Sequence, residues 1–501
     1  MIVGGMTSSS TTLDELFRRA GVRHSDELAL LDPPNRQDFM HGTPRSLTFA
    51  QADRAISALA ALLQSLGLKQ DAPVAFQLPN TVESIVAFLG ILRAGMVAVP
   101  LPVLWRRGEI VDALRLIGAK AILTCSRIGS TDHIEIAMQA AVDLFQIRQV
   151  CAFGSDLPDG VVSLDRIFFG SKSELPNTST RPEAAARIAA ITFGRTTNGL
   201  FPFARNHVQL TSGGLAAFLE CGAGQDACLL SSIPITSFAG LAVTLLSWLL
   251  SGGTLHLHHG FDRRTFREQC DSLQGAIVIL PASVAPALNV EQRPGQKQSR
   301  VVALWRSPER LHSAKAVENA AGVVDILSFG EVGLIAARRL AQSPMPIPHG
   351  VVSAPRDAIG ALSIIETGLS DAGLLSLRGA MVPKTFGQDA SSDDPENPAF
   401  SWVETGFVCQ LNRATQTLAI TAPPSGTVAV GGYCFFQQEL EESICSIEPD
   451  ATIVSLPDND LGHRLAGTSE HPERLIAGLQ SRGVNALICR AFVPRGPSKT
   501  A

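Results

Sequence analysis

The run from Ile191 to His207 concentrates the residues of this chain best suited to holding an anion. It reads as a strand, then a Gly- and Thr-rich turn, then a polar-apolar segment leading to a helix, where backbone N–H groups can cradle phosphate. Gly194 and Gly199 have the spacing of a nucleotide-binding P-loop, but Leu200 and Phe201 follow where that loop needs a lysine and a hydroxyl residue. A working Walker loop is therefore excluded, because those two side chains hold the outer phosphates and magnesium. On local pattern alone, two readings stay open: an ordinary glycine turn and an anion site. A second conspicuous group is His256, His258 and His259. Alternation puts the first two on one strand face and the third on the other, with no Cys, Asp or Glu at ligand spacing before Asp262, so a metal centre is a poor reading.

The elements that must position these residues are clear from hydrophobic spacing. Phe49, Ala52, Ile56, Leu59, Ala60, Leu63 and Leu66 recur at three and four, which predicts a helix over 48–66 ended by Gly67. Pro73 to Leu78 is a short apolar strand, Val82 to Ala94 a helix stopped by Gly95, Val97 to Val99 a strand, Glu109 to Ile117 a helix and Ala121 to Leu123 a strand. Such alternation implies a parallel sheet with helices on both faces. Phe238 to Leu250 is too short to span a bilayer and predicts a buried helix, and Val332 to Leu340 is also expected to be helical. The segments 157–182 and 387–398 have the composition of surface loops.

Composition narrows the function classes. The 501 residues are 45% hydrophobic and 17% charged, enough for a large core and more than one domain. Forty-one Lys+Arg against 46 Asp+Glu give a net charge of -5, with no basic run to follow a nucleic-acid backbone. Nine cysteines form no Cys-x-x-Cys pair and sit in apolar surroundings, as reduced core residues do, so a cytoplasmic location is expected. Met1 to Thr12 has neither the basic start nor the apolar stretch of a signal peptide or anchor.

Several motifs together carry a family resemblance. Leu47-Thr48-Phe49-Ala50, Leu78-Pro79-Asn80-Thr81 and the run Ala94 to Leu101 resemble the opening of the adenylate-forming enzymes, the superfamily of acyl-CoA synthetases, nonribosomal peptide adenylation domains and luciferase. The order continues through Leu249 to Leu255, Phe261-Asp262, Gly431-Gly432 and Gln437 to Ile444. The resemblance covers almost the whole chain from about Thr12. It implies an α/β fold with a large N-terminal domain of packed mixed sheets with helices on their faces, over 12–422, and a small α+β C-terminal domain over 423–501.

Members of this superfamily join ATP and a carboxylic acid into an acyl-adenylate, with Mg2+, and usually pass the acyl group to coenzyme A or an acyl carrier protein. By resemblance, Thr196, Thr197, Asn198 and Gly199 form the phosphate loop, Ser328, Phe329 and Gly330 the adenine turn, Glu331 the magnesium ligand, Thr405 part of the ribose site, Ser237, Phe238 and Gly240 the border of the acyl pocket, Gly426 the hinge and Lys499 the adenylating lysine. Four positions depart from the pattern. No lysine stands at Pro202-Phe203; Leu327 and Gly330 replace a tyrosine and a threonine; Phe407 replaces the ribose aspartate; Pro423 and Pro424 replace basic hinge residues. A phenyl ring cannot accept the ribose hydrogen bonds, and removing one charge-assisted hydrogen bond costs about 1.5–3 kcal/mol. The sequence therefore predicts a ligase scaffold that is catalytically impaired and binds an acyl group, a nucleotide or a protein partner such as an acyl carrier protein or another ligase. The alternative is an active ligase working through Thr196 to Gly199, Glu331 and Lys499.

Overall fold

A computed structural model describes residues 11–169, 184–196, 199–288, 299–313, 322–339, 344–355, 361–383, 401–458 and 462–493. The chain is built on two large sheets. The first has seven strands in the order Gly199–Asn206, Ile188–Thr196, Val97–Pro100, Pro73–Phe76, Ala121–Cys125, Gln149–Phe153 and Val161–Ser163. Its strands run parallel except at the edge, where Gly199–Asn206 folds back antiparallel on Ile188–Thr196. The second has eight strands, ordered Gly333–Arg338, Val323–Phe329, Arg300–Trp305, Ile277–Pro281, Leu229–Ser231, Leu255–Leu257, Leu28–Leu31 and Ser46–Thr48. A six-stranded antiparallel sheet, including Leu374–Arg378 and Val403–Asn412, completes the large part of the molecule.

The expected helices form where spacing placed them. Phe49–Ser65 begins at Thr48, whose hydroxyl accepts from Gln51 N while Gln51 Oε1 accepts from Thr48 N, a reciprocal cap worth about 1 kcal/mol. Its apolar face packs on Val82–Arg93, which is buried nearly all round. The predicted strands appear as Pro73–Phe76, Val97–Pro100 and Ala121–Cys125. Phe238 to Ser251 is a continuous buried helical segment, with a wider π turn over Leu241–Leu246.

One helix prediction fails. Residues Gly333–Arg338 form a strand antiparallel to Val323–Phe329, with Phe329 opposite Gly333 and Ser328 opposite Leu334. Burial explains the misreading, because Gly333 to Ala337 are buried on both faces and the strand carries no polar alternation to announce it. The turn is closed by Gly330 at φ 56°, a left-handed conformation open to glycine. The connector after Leu157 is not wholly loop either, since Val161–Ser163 joins the first sheet; residues 387–398 lie outside the described set.

Beyond Ala422 the chain forms a small α+β unit. Hairpins Thr427–Val430/Tyr433–Phe436 and Thr452–Asp458/Gly462–Thr468 pack with helices Gln437–Cys445, Pro472–Ser481 and Ala486–Arg490 around a separate core that includes Phe435, Leu440, Ile444, Leu475 and Leu479.

Helix His207–Cys221, which carries the hairpin into the core, lies against the π turn through Gly213 and Gly214. A Cβ on Gly214 would run into Leu246 Cβ and approach Leu246 Cα to 3.4 Å. Alanine ordinarily favours a helix over glycine by about 1 kcal/mol, whereas forcing a methyl into a packed core costs about 1–3 kcal/mol. Gly214→Ala is therefore expected to lower the urea midpoint; an unchanged or raised midpoint shows that the two helices can separate freely.

Candidate functional site

The stretch expected to hold an anion is a β-hairpin, with Thr196 opposite Gly199. The predicted polar-apolar segment after the turn is thus its second strand. Phe193, Phe201 and Phe203 suit a pleated surface better than a loop: the rings of Phe201 and Phe203 meet edge-on at 5.2 Å and Phe193 packs on Trp105 at 5.7 Å. Thr196 Oγ1 donates to Gly199 O at 3.3 Å, and Gly199 adopts φ 96°. Thr197 and Asn198 lie outside the described residues. Asn206 then caps helix His207–Cys221, accepting from Gln209 N at 2.8 Å. His207 Nδ1 accepts from Leu13 N at 3.2 Å, and burial lowers its pKa to about 4. A neutral acceptor ring tied to the first helix is a structural fastener.

Glu331 is the centre of the region, and it is buried, 7% exposed, so it is not the solvated start of a helix. Its Oε2 accepts from Thr192 Oγ1 at 2.6 Å and from Phe238 N at 2.8 Å. Its backbone carbonyl accepts from Arg205 Nη2, while Arg205 Nε donates to Met381 O at 3.3 Å. Arg205 is 1% exposed, with its guanidinium carbon 3.8 Å above the Phe238 ring centroid and its Nη1 without a hydrogen-bond partner among the described residues. Burial raises the Glu331 pKa, opposed by the charges of Arg205 and Arg306 and by the two hydrogen bonds. Burial also lowers the Arg205 pKa, to about 10, so that guanidinium remains charged near neutrality. Gly194 leaves the space: a Cβ there would lie 2.9 Å from Phe203 Cε2 and 3.1 Å from Glu331 Cγ.

The remaining predicted site residues are used internally. Ser328 Oγ donates to Gly330 O at 3.2 Å. Thr405 Oγ1 donates to Leu375 O at 2.8 Å and accepts from Phe407 N at 3.3 Å. Phe329 and Phe407, both buried, meet at 5.7 Å with their planes 81° apart. Ser237 caps the turn Phe238–Gly240 by accepting from Gly240 N at 3.2 Å, and a side chain at Gly240 would strike Pro234 O. Gly426, at φ 69°, lies between Pro424 and the strand starting at Thr427. Lys499 lies outside the described residues. The structure thus joins Glu331 to Phe238 and the Ser328–Gly330 turn, while Thr196 and Gly199 stand farther along the hairpin, roughly 13 Å from Thr192 at about 3.3 Å per residue. The histidines are likewise occupied: His259 Nδ1 accepts from Asn80 N and His258 pairs with Gln269 and Asp262 N.

Sequence reasoning missed the seam between the large and small parts. Arg195, at the hairpin tip, forms an ion pair with Glu439. Tyr433 Oη accepts from Leu104 N at 3.4 Å, Gly108 N donates to Gly483 O at 3.1 Å, and Asn485 Nδ2 donates to Glu109 Oε1 at 2.9 Å. Half-buried Arg306 lies against Gly432, where a Cβ would come within 2.9 Å of its Cδ. These partners are separated by more than a hundred residues and share no local motif; a charged residue directly after the apolar strand Arg300–Trp305 was the one available signal for Arg306.

Comparison with known proteins decides the ancestry. Residues 17–331 match the model of the AMP-binding enzyme family. The chain belongs to that family. A 2-hydroxy-7-methoxy-5-methyl-1-naphthoate–CoA ligase of Streptomyces carzinostaticus is 24% identical over 91% of this chain and 83% of its own length. A 4-coumarate–CoA ligase of Narcissus pseudonarcissus is 22% identical over 84% of this chain and 78% of its own. The amide bond synthetase McbA from Marinactinospora thermotolerans has the same fold, with TM-score 0.65 and 20% identity, covering 95% of this chain and 94% of that one. Adenylate-forming architecture, large α/β part and small C-terminal domain are therefore established. Among the described residues, no helix is long and apolar enough to cross a membrane.

The seam also carries a titration. Burial pushes the Glu109 carboxyl up to about 7, against the hydrogen bonds from Arg106 N and Asn485 and the charges of Arg195 and Arg106; Tyr433 and Cys489 also face it. A carboxyl raised in the folded state holds its proton there after the unfolded chain has lost it, so stability falls as pH rises from about 4.5 towards 7 and levels off above. The slope from this group is at most about 1.4 kcal/mol per pH unit. Glu109→Gln is expected to flatten that part of a stability-against-pH profile measured by urea unfolding, whereas an unaltered profile assigns the slope elsewhere.

Proposed function

We propose that this chain is a divergent AMP-dependent acid–thiol ligase homologue, impaired in adenylation and retained for binding an acyl group, a nucleotide or a protein partner such as an acyl carrier protein or a second ligase. The observation that carries this reading is the edge-on packing of Phe329 and Phe407, both buried, at the motif positions where relatives of this superfamily bind adenine and ribose. A ribose seated there would meet carbon in place of a carboxylate acceptor. The loop adds Pro202 and Phe203 where a lysine would stand, and Thr405 and Ser328 are engaged with neighbouring carbonyls. Losing the loop lysine and the ribose acceptor together removes several kcal/mol if the terms are roughly additive. We place the domain boundary after Ala422 and the pivot at Gly426.

An active ligase is the second reading, favoured by the survival of Glu331 and by near full-length similarity to CoA ligases. It would form an acyl-adenylate from ATP and a carboxylic acid, with Thr196 to Gly199 at the phosphates and Lys499 closing on the reacting centre, before transfer to coenzyme A or a carrier thiol. Acid-dependent ATP–pyrophosphate exchange on the purified full chain separates the two. The impaired reading expects exchange at no more than about a hundredth of an active relative's rate, the scale of losing one preorganised donor. Robust exchange that disappears in Glu331→Ala or Lys499→Ala sinks it.

A further inference from the structure

The small domain is fastened to the large one at the start of a helix. The first N–H groups of helix Arg107–Ile117 have no acceptor within it, and Gly108 N donates instead to Gly483 O of the small domain at 3.1 Å. Glycines suit this approach: a Cβ on Gly108 would lie 3.1 Å from Gly483 O, and one on Gly483 would lie 2.8 Å from Gly108 N. Two residues on, Asn485 Nδ2 donates to Glu109 Oε1 at 2.9 Å, while Asn485 Oδ1 accepts from Leu487 N and caps helix Ala486–Arg490. Asn485 is 1% exposed, so this hydrogen bond lies inside the seam.

Glu109 thus enters the seam as a carboxyl with no ion pair of its own among the described residues. Its Oε2 accepts from Arg106 N at 3.0 Å. Two cations face it, and both are engaged elsewhere: Arg106 donates to the carbonyls of Val103 and Trp105 and to Thr131 Oγ1, and Arg195 pairs with Glu439. The small domain adds Tyr433 and Cys489, with Arg490 acting on Arg106, and His133 lies near Arg106 on the other side. Burial pushes the Tyr433 hydroxyl up to about 12 and the Cys489 thiol up as well, and pushes His133 down to about 3, so none of these three changes charge near neutrality. An ionised Glu109 would give up its hydration shell for two neutral donors, whereas a protonated one gives up little.

We propose that Glu109 is a proton-operated latch: the small domain seats firmly on helix Arg107–Ile117 while this carboxyl is protonated and works loose when it ionises. The proposal holds for an active and for an impaired ligase alike. A carboxyl titrating at about 7 in the closed seam and at its ordinary 4.5 in the open one makes the opening constant rise with pH between those values and level off above. The test is hydrogen–deuterium exchange on the full chain at about pH 5.5, 7, 8 and 9, with the intrinsic rate at each pH divided out. Electron-transfer fragmentation resolves the Gly108 amide, whose protection comes from Gly483 O across the seam. The opening constant at Gly108 is expected to rise about ten-fold or more from pH 5.5 to 7 and to change less than about two-fold from pH 8 to 9, while amides of the strand Ala121–Cys125 show no such rise. Glu109→Gln, checked for folding by circular dichroism, should keep the low opening constant at every pH. Asn485→Asp retains a capping oxygen but sets a second carboxyl against Glu109, and should open about ten-fold more than the unaltered protein at pH 8, with a smaller gap at pH 5.5. An opening constant that ignores pH overturns the proposal, as does a rise that persists in Glu109→Gln. Strand amides that open in parallel with Gly108, or an Asn485→Asp variant no more open than the unaltered protein at pH 8, overturn it as well.

Discussion

A carboxylate removed from water must be given partners, and in this chain the partners of Glu331 set the arrangement of everything around it. Thr192 from the first sheet and Phe238 N from the buried helical segment reach its carboxylate, while Arg205 from the hairpin's return strand holds its backbone carbonyl, so both strands of one hairpin and a helical segment converge on one residue. Removing any one of them would leave a buried group short of an acceptor or donor, at a cost of about 1–3 kcal/mol. The node therefore has a structural task independent of catalysis. Glu331 thus has a place in this fold whatever the chemistry at Leu327, Phe329 and Phe407.

The same node relates the fold to the rings around it. Gly194 keeps the hairpin close to Glu331, and the strand Gly333–Arg338 leaves directly from the Gly330 turn, so the carboxylate is enclosed between sheets. Phe203, Phe329 and Phe407 then fill neighbouring volume with rings. Packing of this kind stabilises the large domain through buried area.

Much of the architecture was legible in the sequence because its signals are local. The three-and-four spacing that begins at Phe49 announced a helix and its buried face, and the glycines at 67 and 95 the stops of that helix and the next. The strand at 333–338 was misread because burial on both sides erased alternation, and the hairpin's second strand because Pro202 disguised it. The chemistry of the centre was only half legible. Glu331 stood out through its motif, but its engagement by Arg205 depends on a pairing across 126 residues, and the Glu109–Asn485 hydrogen bond spans 376. Such pairings are set by how domains meet, which no periodicity encodes.

The π turn at Leu241–Leu246 has a consequence for the phase of this segment. In a wide turn the backbone bonds skip one residue more than in an α-helix, so the chain there holds one residue in excess of the length it spans. The wider turn shifts the angular phase of the side chains after it relative to those before it. Phe238, which supports Arg205, and Trp248, whose Nε1 donates to Gly253 O, can both keep their core positions because the surplus is stored between them. The segment beside Glu331 therefore brings two aromatic side chains to the core from either side of one widened turn.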